Sequence, residues 1–261
     1  VMTEHRWFNS YDPHVPRHLD YPDLDIHSLV RHKADQVPDR VAIKFMGLSL
    51  TYGRLFAHVD RLAAALARRG VKAGDRVVLL MPNCPQFVIS YYALMRLGAT
   101  AVLANPLNVE RELVYKFQDS GAKALIVLDL LSQRVNGIKK QVPLELVVYT
   151  SLADFLPFPL NLLYPIKRGL DKSMPKVVIE RDANTVMLKD LLREPGQPPA
   201  VAIDPREMAV LIYSGGTTGV SKGIMLSHKA LLANATQVCA WGDLSDRDSL
   251  LAVLPLFHGF G

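Results

Sequence analysis

The sequence predicts an α/β fold in which a mostly parallel sheet is flanked by helices. Between residues 41 and 149, short apolar runs alternate with longer segments whose apolar residues recur at helical spacing. One run, residues 76–81, is apolar almost throughout, which indicates a strand buried on both faces. Gly70, Gly98 and Gly121 follow three of the helical segments, where a glycine commonly ends a helix. Strands and helices that alternate in this way form parallel βαβ units with right-handed crossovers.

Each element of this alternation has its own signal, and residues 1–40 form a polar lead-in to it. In the first long helical segment Leu55, Val59, Leu62 and Leu66 share one face. The predicted strands cover residues 41–45, 48–52, 76–81, 100–103, 124–128 and 145–149, and the predicted helices cover 54–69, 86–97, 109–120 and 129–140.

The alternation breaks at residues 152–169, an apolar and aromatic stretch that contains Lys167 and Arg168 near its end. Pro157, Pro159 and Pro165 predict that no regular helix crosses this stretch. A connecting loop is one interpretation, and a patch that contacts a membrane surface or a greasy substrate is the other. From these residues alone we favour the loop.

Beyond residue 170 the sequence patterns are weaker, but they still predict strands and helices. Strands are predicted at 177–179, 208–212, 224–226 and 250–254, and helices at 186–193 and 228–241. Ser227 is the predicted N-cap of the last helix. A proline- and glycine-rich connector near 194–205 is the best internal boundary.

Composition excludes several classes of protein. With 49% hydrophobic residues the chain of 261 residues has ample material for a core, so it is not disordered. The net charge of +5 is spread along the chain without a basic block, which argues against nucleic-acid binding. The two cysteines, Cys84 and Cys239, suggest neither a disulfide framework nor a zinc site. We see no secretory signal and no apolar run of the ~18 residues that a spanning helix needs, so cytoplasm is the expected compartment.

The most informative stretch is residues 213–223, Tyr-Ser-Gly-Gly-Thr-Thr-Gly-Val-Ser-Lys-Gly, which follows the predicted strand 208–212. Glycines let backbone N–H groups approach a ligand closely, and clustered N–H groups form a concavity that binds anions. Hydroxyl groups and the ammonium of Lys222 add further donors. An ordinary flexible turn is the alternative, but this set of donors favours a polyphosphate.

Three known motifs do not fit this stretch. Lys222 is followed by Gly223 rather than by Ser or Thr, so it is not a Walker A loop. Ser214 stands where the dinucleotide pattern Gly-x-Gly-x-x-Gly needs its first glycine. Residues 219–223 match Gly-x-Ser-x-Gly, but Ser221 lies eight residues past Tyr213 and no helix follows it, as a hydrolase elbow would require.

The stretch resembles the signature loop of the adenylate-forming superfamily, roughly Thr-Ser-Gly-Thr-Thr-Gly-x-Pro-Lys-Gly. Gly215 replaces the usual serine and Ser221 the usual proline, a form similar to the long-chain fatty acyl-CoA synthetase branch. The residues that match are Ser214, conservatively, and Gly216, Thr217, Thr218, Gly219, Lys222 and Gly223 outright. The resemblance implies that Ser214, Gly215, Gly216, Thr217, Thr218, Gly219 and Lys222 bind the phosphates of ATP.

Other stretches resemble the same family along most of the chain. They include Leu50-Thr51-Tyr52, residues 70–77, Met81-Pro82-Asn83, Leu97-Gly98-Ala99, Asn105-Pro106-Leu107 and residues 254–261. The last of these places His258 near the acyl-binding tunnel by resemblance, where a loop histidine without a role is the alternative. Residues 156–165 also resemble the long-chain branch, which raises the lipid or membrane interpretation of 152–168 above the connecting loop.

The resemblance implies a long-chain fatty acid–CoA ligase that uses fatty acid, ATP, Mg²⁺ and CoA. It implies that residues 41–261 are an incomplete N-terminal, AMP-binding domain, and that the adenine, magnesium and ribose motifs and the C-terminal lid domain are absent from this sequence. We therefore expect no complete catalytic set and no metal ligand here, and no ligase activity from these 261 residues alone. Self-association into a homodimer and contact with the inner face of a membrane are further expectations. The alternatives are another adenylate former, such as an aryl or medium-chain acyl ligase, or a non-catalytic lipid- or membrane-binding module.

Overall fold

The computed structural model describes residues 5–214 and 221–259, and these form two sheets with helices packed on them. In chain order the elements are α1 (Ile26–Gln36), β1 (Val41–Phe45), β2 (Leu48–Thr51), α2 (Tyr52–Arg68), β3 (Arg76–Leu80), α3 (Pro85–Arg96), β4 (Thr100–Leu103), α4 (Glu110–Ser120), β5 (Ala124–Leu128), α5 (Ser132–Lys139), β6 (Leu146–Thr150), α6 (Leu160–Leu170), β7 (Thr185–Met187), α7 (Leu188–Leu191), β8 (Met208–Tyr213), β9 (Gly223–Ser227) and α8 (His228–Trp241). Short 3₁₀ helices cover Arg6–Ser10, Asp129–Leu131 and Leu152–Phe155. The predicted elements between residues 41 and 149 are all present.

The main sheet of the described residues has seven strands in the order β7-β6-β5-β3-β4-β8-β9. All neighbouring strands are parallel except β8 and β9, which form an antiparallel pair. Strands β1 and β2 form a separate antiparallel hairpin. The predicted α/β fold with a mostly parallel sheet is confirmed.

Helices cover both faces of the main sheet because its central strands are apolar on both sides. On β3, Val77 and Leu79 belong to the core beneath α2 and α3. Val78 and Leu80 point the other way, into the core beneath α4 and α5. All four side chains are at most 1% exposed, as the apolar run 76–81 predicts.

Capping residues define where several helices begin and end. The Ser227 hydroxyl accepts a hydrogen bond from the Ala230 N–H at 3.1 Å, and α8 covers the predicted residues. Gly121 ends α4 in the left-handed conformation, with φ 67°, which glycine adopts without a Cβ penalty. Gly70 and Gly98 have positive φ just beyond α2 and α3. The predicted helix stops are confirmed.

The prediction of no regular helix in residues 152–169 was wrong, because α6 lies there. Pro159 is the N-cap of α6, and the Pro157 carbonyl accepts a hydrogen bond from the Asn161 N–H at 3.1 Å. These two prolines therefore precede the helix. Pro165 alone lies inside it, where a proline removes one backbone hydrogen bond.

Three predictions on the later chain were also wrong. Residues 177–179 are extended but pair with α5 side chains: the Val178 N–H donates to Ser132 Oγ at 2.9 Å and its carbonyl accepts from Asn136 Nδ2. The edge strand that pairs with β6 is β7, at Thr185–Met187, and not residues 177–179. Because β7 takes up the start of the helix predicted at 186–193, only the short α7 remains of that helix. Residues 250–254 are irregular, because they bond to a side chain rather than to a strand of the described residues.

The connector near 194–205 lies against the ends of α2 and α3. The Glu194 carboxylate accepts hydrogen bonds from Arg69 at 2.5 Å and Arg68 at 2.7 Å. A Cβ on Gly98 would lie 3.5 Å from side-chain carbons of Val201 and Ile203. The boundary predicted there remains a prediction.

Candidate phosphate-binding site

The predicted site residues that the structure describes lie where three parallel strands end. β4 is hydrogen-bonded to β3 on one side and to β8 on the other, all three running in the same direction. Their carboxyl ends therefore meet at one edge of the sheet, the usual place for a ligand in this type of fold. Asn83 follows β3 and Ser214 follows β8 at this edge.

The phosphate loop, residues 213–223, begins and ends as a hairpin between β8 and β9. We call Tyr213 and Ser214 its outgoing limb and Ser221 and Lys222 its returning limb. The Ser214 N–H donates to the Lys222 carbonyl at 3.0 Å, which extends the β8–β9 ladder by one step. The Ser221 hydroxyl donates to the Ser214 carbonyl. Of the residues predicted to bind phosphate, Gly215, Gly216, Thr217, Thr218 and Gly219 lie outside the described residues.

Lys222 and Ser214 lie opposite each other on the two limbs. The Lys222 side chain is exposed, and its ammonium forms no ion pair within residues 5–214 and 221–259. The Ser214 hydroxyl lies 3.4 Å from the Lys222 carbonyl oxygen, so the hydroxyl and the lysine belong to adjacent points of the two limbs. An exposed ammonium and a hydroxyl are both groups that can bind phosphate oxygens.

Gly223 has a packing role at the foot of the returning limb. A Cβ at this position would lie 3.0 Å from Leu211 Cδ1 and 3.5 Å from Tyr213 Cζ. Any larger residue would have to displace the Leu211 side chain. This contact gives a physical reason for a glycine directly after Lys222.

Helix α4 packs beside both limbs, which the sequence did not predict. Tyr213 Oη donates to Asp119 Oδ2 at 2.6 Å, and Tyr115 Oη donates to the Ser221 carbonyl at 3.0 Å. The two tyrosine rings meet edge to face, with centroids 6.3 Å apart. Tyr115 and Asp119 are four residues apart on one helix face. That spacing was visible in the sequence, but only the adjacency of β4 and β8 shows which loop the face meets.

Burial and the Asp119 carboxylate set the protonation of these tyrosines. Burial, and then the hydrogen bond and negative charge of Asp119, raise the pKa of Tyr213 above its usual value. Partial desolvation and Asp119 also raise the pKa of Tyr115. Beside them Lys116 is buried, which lowers the pKa of its ammonium, and its Nζ lies 5.4 Å from the Tyr213 ring centroid. Both phenols are therefore protonated donors at neutral pH.

The segment that carries His258 is fixed to the same edge by Asn83, another residue whose role the sequence did not reveal. Asn83 Nδ2 donates to the carbonyls of Ala252 and Leu254 at 3.0 and 2.8 Å, and Asn83 Oδ1 accepts from the Leu256 N–H at 2.8 Å. His258 is exposed, with its backbone N–H bonded to the Pro255 carbonyl.

Tyr213 and the His258 segment pack on opposite faces of the sheet near the end of β8. Leu256 and Phe257 pack on the core beneath α2 and α3, whereas Tyr213 packs on the core beneath α4 and α5. A Cβ on Gly259 would lie 3.9 Å from Ile212 Cγ2, close to the end of β8. The structure thus brings the two predicted parts of the site to one edge.

Part of the stretch 152–168 that was predicted to contact lipid lies in α6, whose apolar side chains face solvent. We define the α6 apolar face as Phe158, Leu162, Leu163, Ile166 and Leu170, which are between 51% and 79% exposed. On the other side of the helix, Arg168 Nη1 lies 2.6 Å from Asp129 Oδ2 and anchors α6 to the end of β5.

Two further features of the described residues concern metals and membranes. Within the described part of the chain there is no group of three or more His, Cys, Asp or Glu side chains that could hold a metal ion. Of the helices in residues 5–214 and 221–259, none combines the length and apolar character needed to cross a bilayer.

The family model for AMP-binding enzymes matches residues 30–261. The chain belongs to the AMP-binding enzyme family. This AMP-binding chain is 35% identical over 266 residues to a long-chain-fatty-acid–CoA ligase of Bacillus subtilis (strain 168), an alignment that covers 100% of the chain and 47% of that relative. It spans about half the length of the curated relatives that it matches.

Solved structures agree with this assignment. A long-chain-fatty-acid-CoA ligase (FadD1) from Archaeoglobus fulgidus superposes with a TM-score of 0.74 at 25% identity, over 95% of the AMP-binding chain and 45% of that structure. Mycobacterium smegmatis MbtA superposes with a TM-score of 0.75 at 28% identity, over 92% of the AMP-binding chain and 40% of that structure. The predicted resemblance to adenylate-forming enzymes is confirmed, and with it the assignment to a family of enzymes.

Proposed function

We propose that this chain is the N-terminal part of a long-chain fatty acid–CoA ligase and supplies its ATP phosphate site. The observation that carries the proposal is the phosphate loop at the carboxyl edge of the sheet, with Ser214 and Lys222 hydrogen-bonded across its two limbs. The curated relatives at 30–35% identity, which are named as long-chain-fatty-acid–CoA ligases, support the choice of substrate.

In the proposed reaction, a carboxylate oxygen of the fatty acid attacks the α-phosphorus of ATP. The bond from that phosphorus to the bridging oxygen breaks, which gives acyl-AMP and pyrophosphate. The CoA thiol then attacks the acyl carbon, and AMP leaves. Lys222 and the donors of the loop would stabilise the charge that builds on the departing pyrophosphate. Mg²⁺ belongs to the proposal as the counter-ion of ATP, and the described residues of this chain offer no ligand set for it.

His258 is proposed to line the acyl side of the site. Its segment is held by Asn83 at the sheet edge where β8 ends, the edge from which Ser214 also leaves the sheet. A carboxylate that reacts with ATP must lie next to the phosphates, so this position supports the role.

Lys222→Ala in the complete ligase tests the phosphate site. We expect fatty-acid-dependent ATP–pyrophosphate exchange to fall by about 10²–10³-fold, the effect of removing one preorganised charge donor. Lys140→Ala is the matched control, because Lys140 is exposed beyond the end of α5, at the opposite edge of the sheet. Thr218→Ala should also slow exchange. Unchanged exchange with a lowered melting temperature would show that the loop is only structural.

Two further measurements address the alternatives. The 261-residue chain alone should release no pyrophosphate with fatty acid and ATP, and detection of release would contradict the proposal that it is a part. In the complete ligase, a panel of long-chain, medium-chain and aryl acids should give the highest kcat/KM for the long chains. Preference for an aryl or medium-chain acid would favour the alternative ligases.

A second candidate function, contact with an anionic membrane surface, is favoured by the α6 apolar face. Leu162, Ile166 and Leu170 follow one another at helical spacing and Lys167 adjoins them. An apolar stripe with a basic neighbour suits a helix that lies in the lipid interface. This proposal places the protein in the cytoplasm, at the inner face of the membrane.

Vesicle co-sedimentation tests this surface. Ile166→Asp should reduce binding to phosphatidylglycerol vesicles about tenfold or more, because it removes one apolar side chain that binding would bury in the lipid. Leu107→Asp is the matched control, since Leu107 is 84% exposed and lies between β4 and α4, outside α6. Binding of both variants like wild type would refute the contact, and binding without any ATP-dependent activity would favour the lipid-binding module.

A homodimer is proposed as well, and its support is the exposure of Ile224 and Met225 on β9. A sedimentation velocity experiment that gives the mass of a monomer would refute the homodimer.

A further inference from the structure

We propose that α4 holds both limbs of the phosphate loop in their binding geometry, with Tyr115 as the positioning residue of the returning limb. The part of this inference that concerns ATP rests on the proposed function. The part that concerns the limbs rests on contacts of the described residues alone.

The outgoing limb is fixed through Tyr213. Its phenol donates to Asp119 Oδ2 at 2.6 Å, a charge-assisted hydrogen bond of the stronger kind. Tyr213 Oη also lies 3.4 Å from the carbonyl oxygen of Lys116, which is one turn before the end of α4. Tyr213 is the last residue of β8, so these contacts fix the point at which the chain leaves the sheet.

The returning limb is fixed through Tyr115. Its phenol donates to the Ser221 carbonyl at 3.0 Å and lies 3.4 Å from Asp119 Oδ1. Ser221 in turn donates from its hydroxyl to the Ser214 carbonyl. Asp119 therefore contacts the tyrosine that holds each limb, and the limbs are also bonded to each other.

Helix α4 is rigid enough to serve as the support. Leu113 and Phe117 are at most 1% exposed in the core beneath the sheet. Lys116 Nζ, itself buried, donates to Asn108 Oδ1 at 2.6 Å and faces the Tyr213 ring. Because the helix is held on its inner side, its outer residues can transmit that fixed position to the loop.

Because α4 holds both limbs, we expect the distance between Ser214 and Lys222 to vary only within a narrow range. These two residues carry a hydroxyl and a cation that must meet phosphate oxygens together. Loss of the Tyr115 hydroxyl would free the returning limb, and with it Lys222, while the Tyr213 contact kept the outgoing limb in place.

Tyr115→Phe tests the inference, because it removes the hydroxyl and keeps the ring against Tyr213. The matched control is Tyr21→Phe, which removes a phenol that accepts from Gln237 Nε2 at 2.9 Å, outside the contacts of the loop. In the 261-residue chain, Tyr115→Phe should speed amide hydrogen exchange at Ser214 by about 2- to 10-fold, the worth of one hydrogen bond. Tyr21→Phe should leave it unchanged.

In the complete ligase, Tyr115→Phe should raise KM for ATP about 3- to 10-fold and leave KM for the fatty acid unchanged, with an unaltered melting temperature. Exchange at Ser214 equal to that of Tyr21→Phe would overturn the inference, whatever the kinetics. Faster exchange with an unchanged KM for ATP in an active ligase would overturn the positioning role. An inactive wild-type ligase would instead refute the proposed function, and the exchange result would still decide whether α4 holds the limbs.

Discussion

Replacement of Arg168 by methionine should destabilise the fold far more than the same change at its neighbour Lys167. The Asp129 side chain is 6% exposed, and its Oδ2 lies 2.6 Å from Arg168 Nη1. Asp129 Oδ1 is buried without a hydrogen-bond partner among the described residues. Removing the guanidinium leaves a buried carboxylate without compensation, which costs about 3–5 kcal/mol. Because Arg168 is itself 22% exposed, water can reach the pair, and we expect the lower end, about 3 kcal/mol.

Equilibrium unfolding in urea, followed by tryptophan fluorescence and by circular dichroism, measures the effect. Lys167→Met should lie within about 0.5 kcal/mol of wild type, because the Lys167 side chain is exposed. The double variant Asp129→Leu/Arg168→Met should regain most of the loss, because no uncompensated charge remains. Equal unfolding midpoints for Arg168→Met and Lys167→Met would refute the view that this ion pair anchors α6.

Two further changes probe a helix cap and an ion cluster. Ser227→Ala removes the acceptor for the Ala230 N–H and should lower the free energy of unfolding by about 1 kcal/mol, whereas Ser227→Asp should retain the cap. Hydrogen bonds from Arg69 and Arg68 lower the pKa of Glu194 from 4.5 to about 2. Its stabilisation is therefore present above pH 4.5 and is lost as the pH falls through 2, so the gap in melting temperature between wild type and Glu194→Gln should narrow from about pH 5 to about pH 2. A gap that stays constant over this range would contradict the ion cluster.

The sequence predicted elements well where their own period decides the structure. Residues 77–81 are apolar at successive positions, and only a strand between two helical layers buries all of them. Ser227 predicted the start of α8 because an N-cap is a local interaction. The signature of residues 213–223 likewise predicted the family, because the phosphate loop is one continuous segment.

The predictions failed where the partner decides the structure. Residues 177–179 have strand-forming side chains, but the polar groups of Ser132 and Asn136 on α5 take their backbone hydrogen bonds. Pro165 indicated a broken helix, yet Arg168, one turn later, holds that helix on Asp129. The role of Tyr115 and Asp119 depends on β8 lying next to β4, two strands separated by more than a hundred residues of chain. No local pattern contains that information.

The three hydrogen bonds of Asn83 have a consequence for the order in which the molecule is assembled. Each of these bonds joins two residues that are between 169 and 173 positions apart in the chain. While the protein is being synthesised, the β3 end can pack into the sheet early, but its amide must wait until residues 252–256 have been made. Contacts between residues so far apart in sequence form late and slowly, because a long loop must close first. The segment that carries His258 is therefore the last part of this edge to take shape, after Asn83 and β3 are already in the sheet.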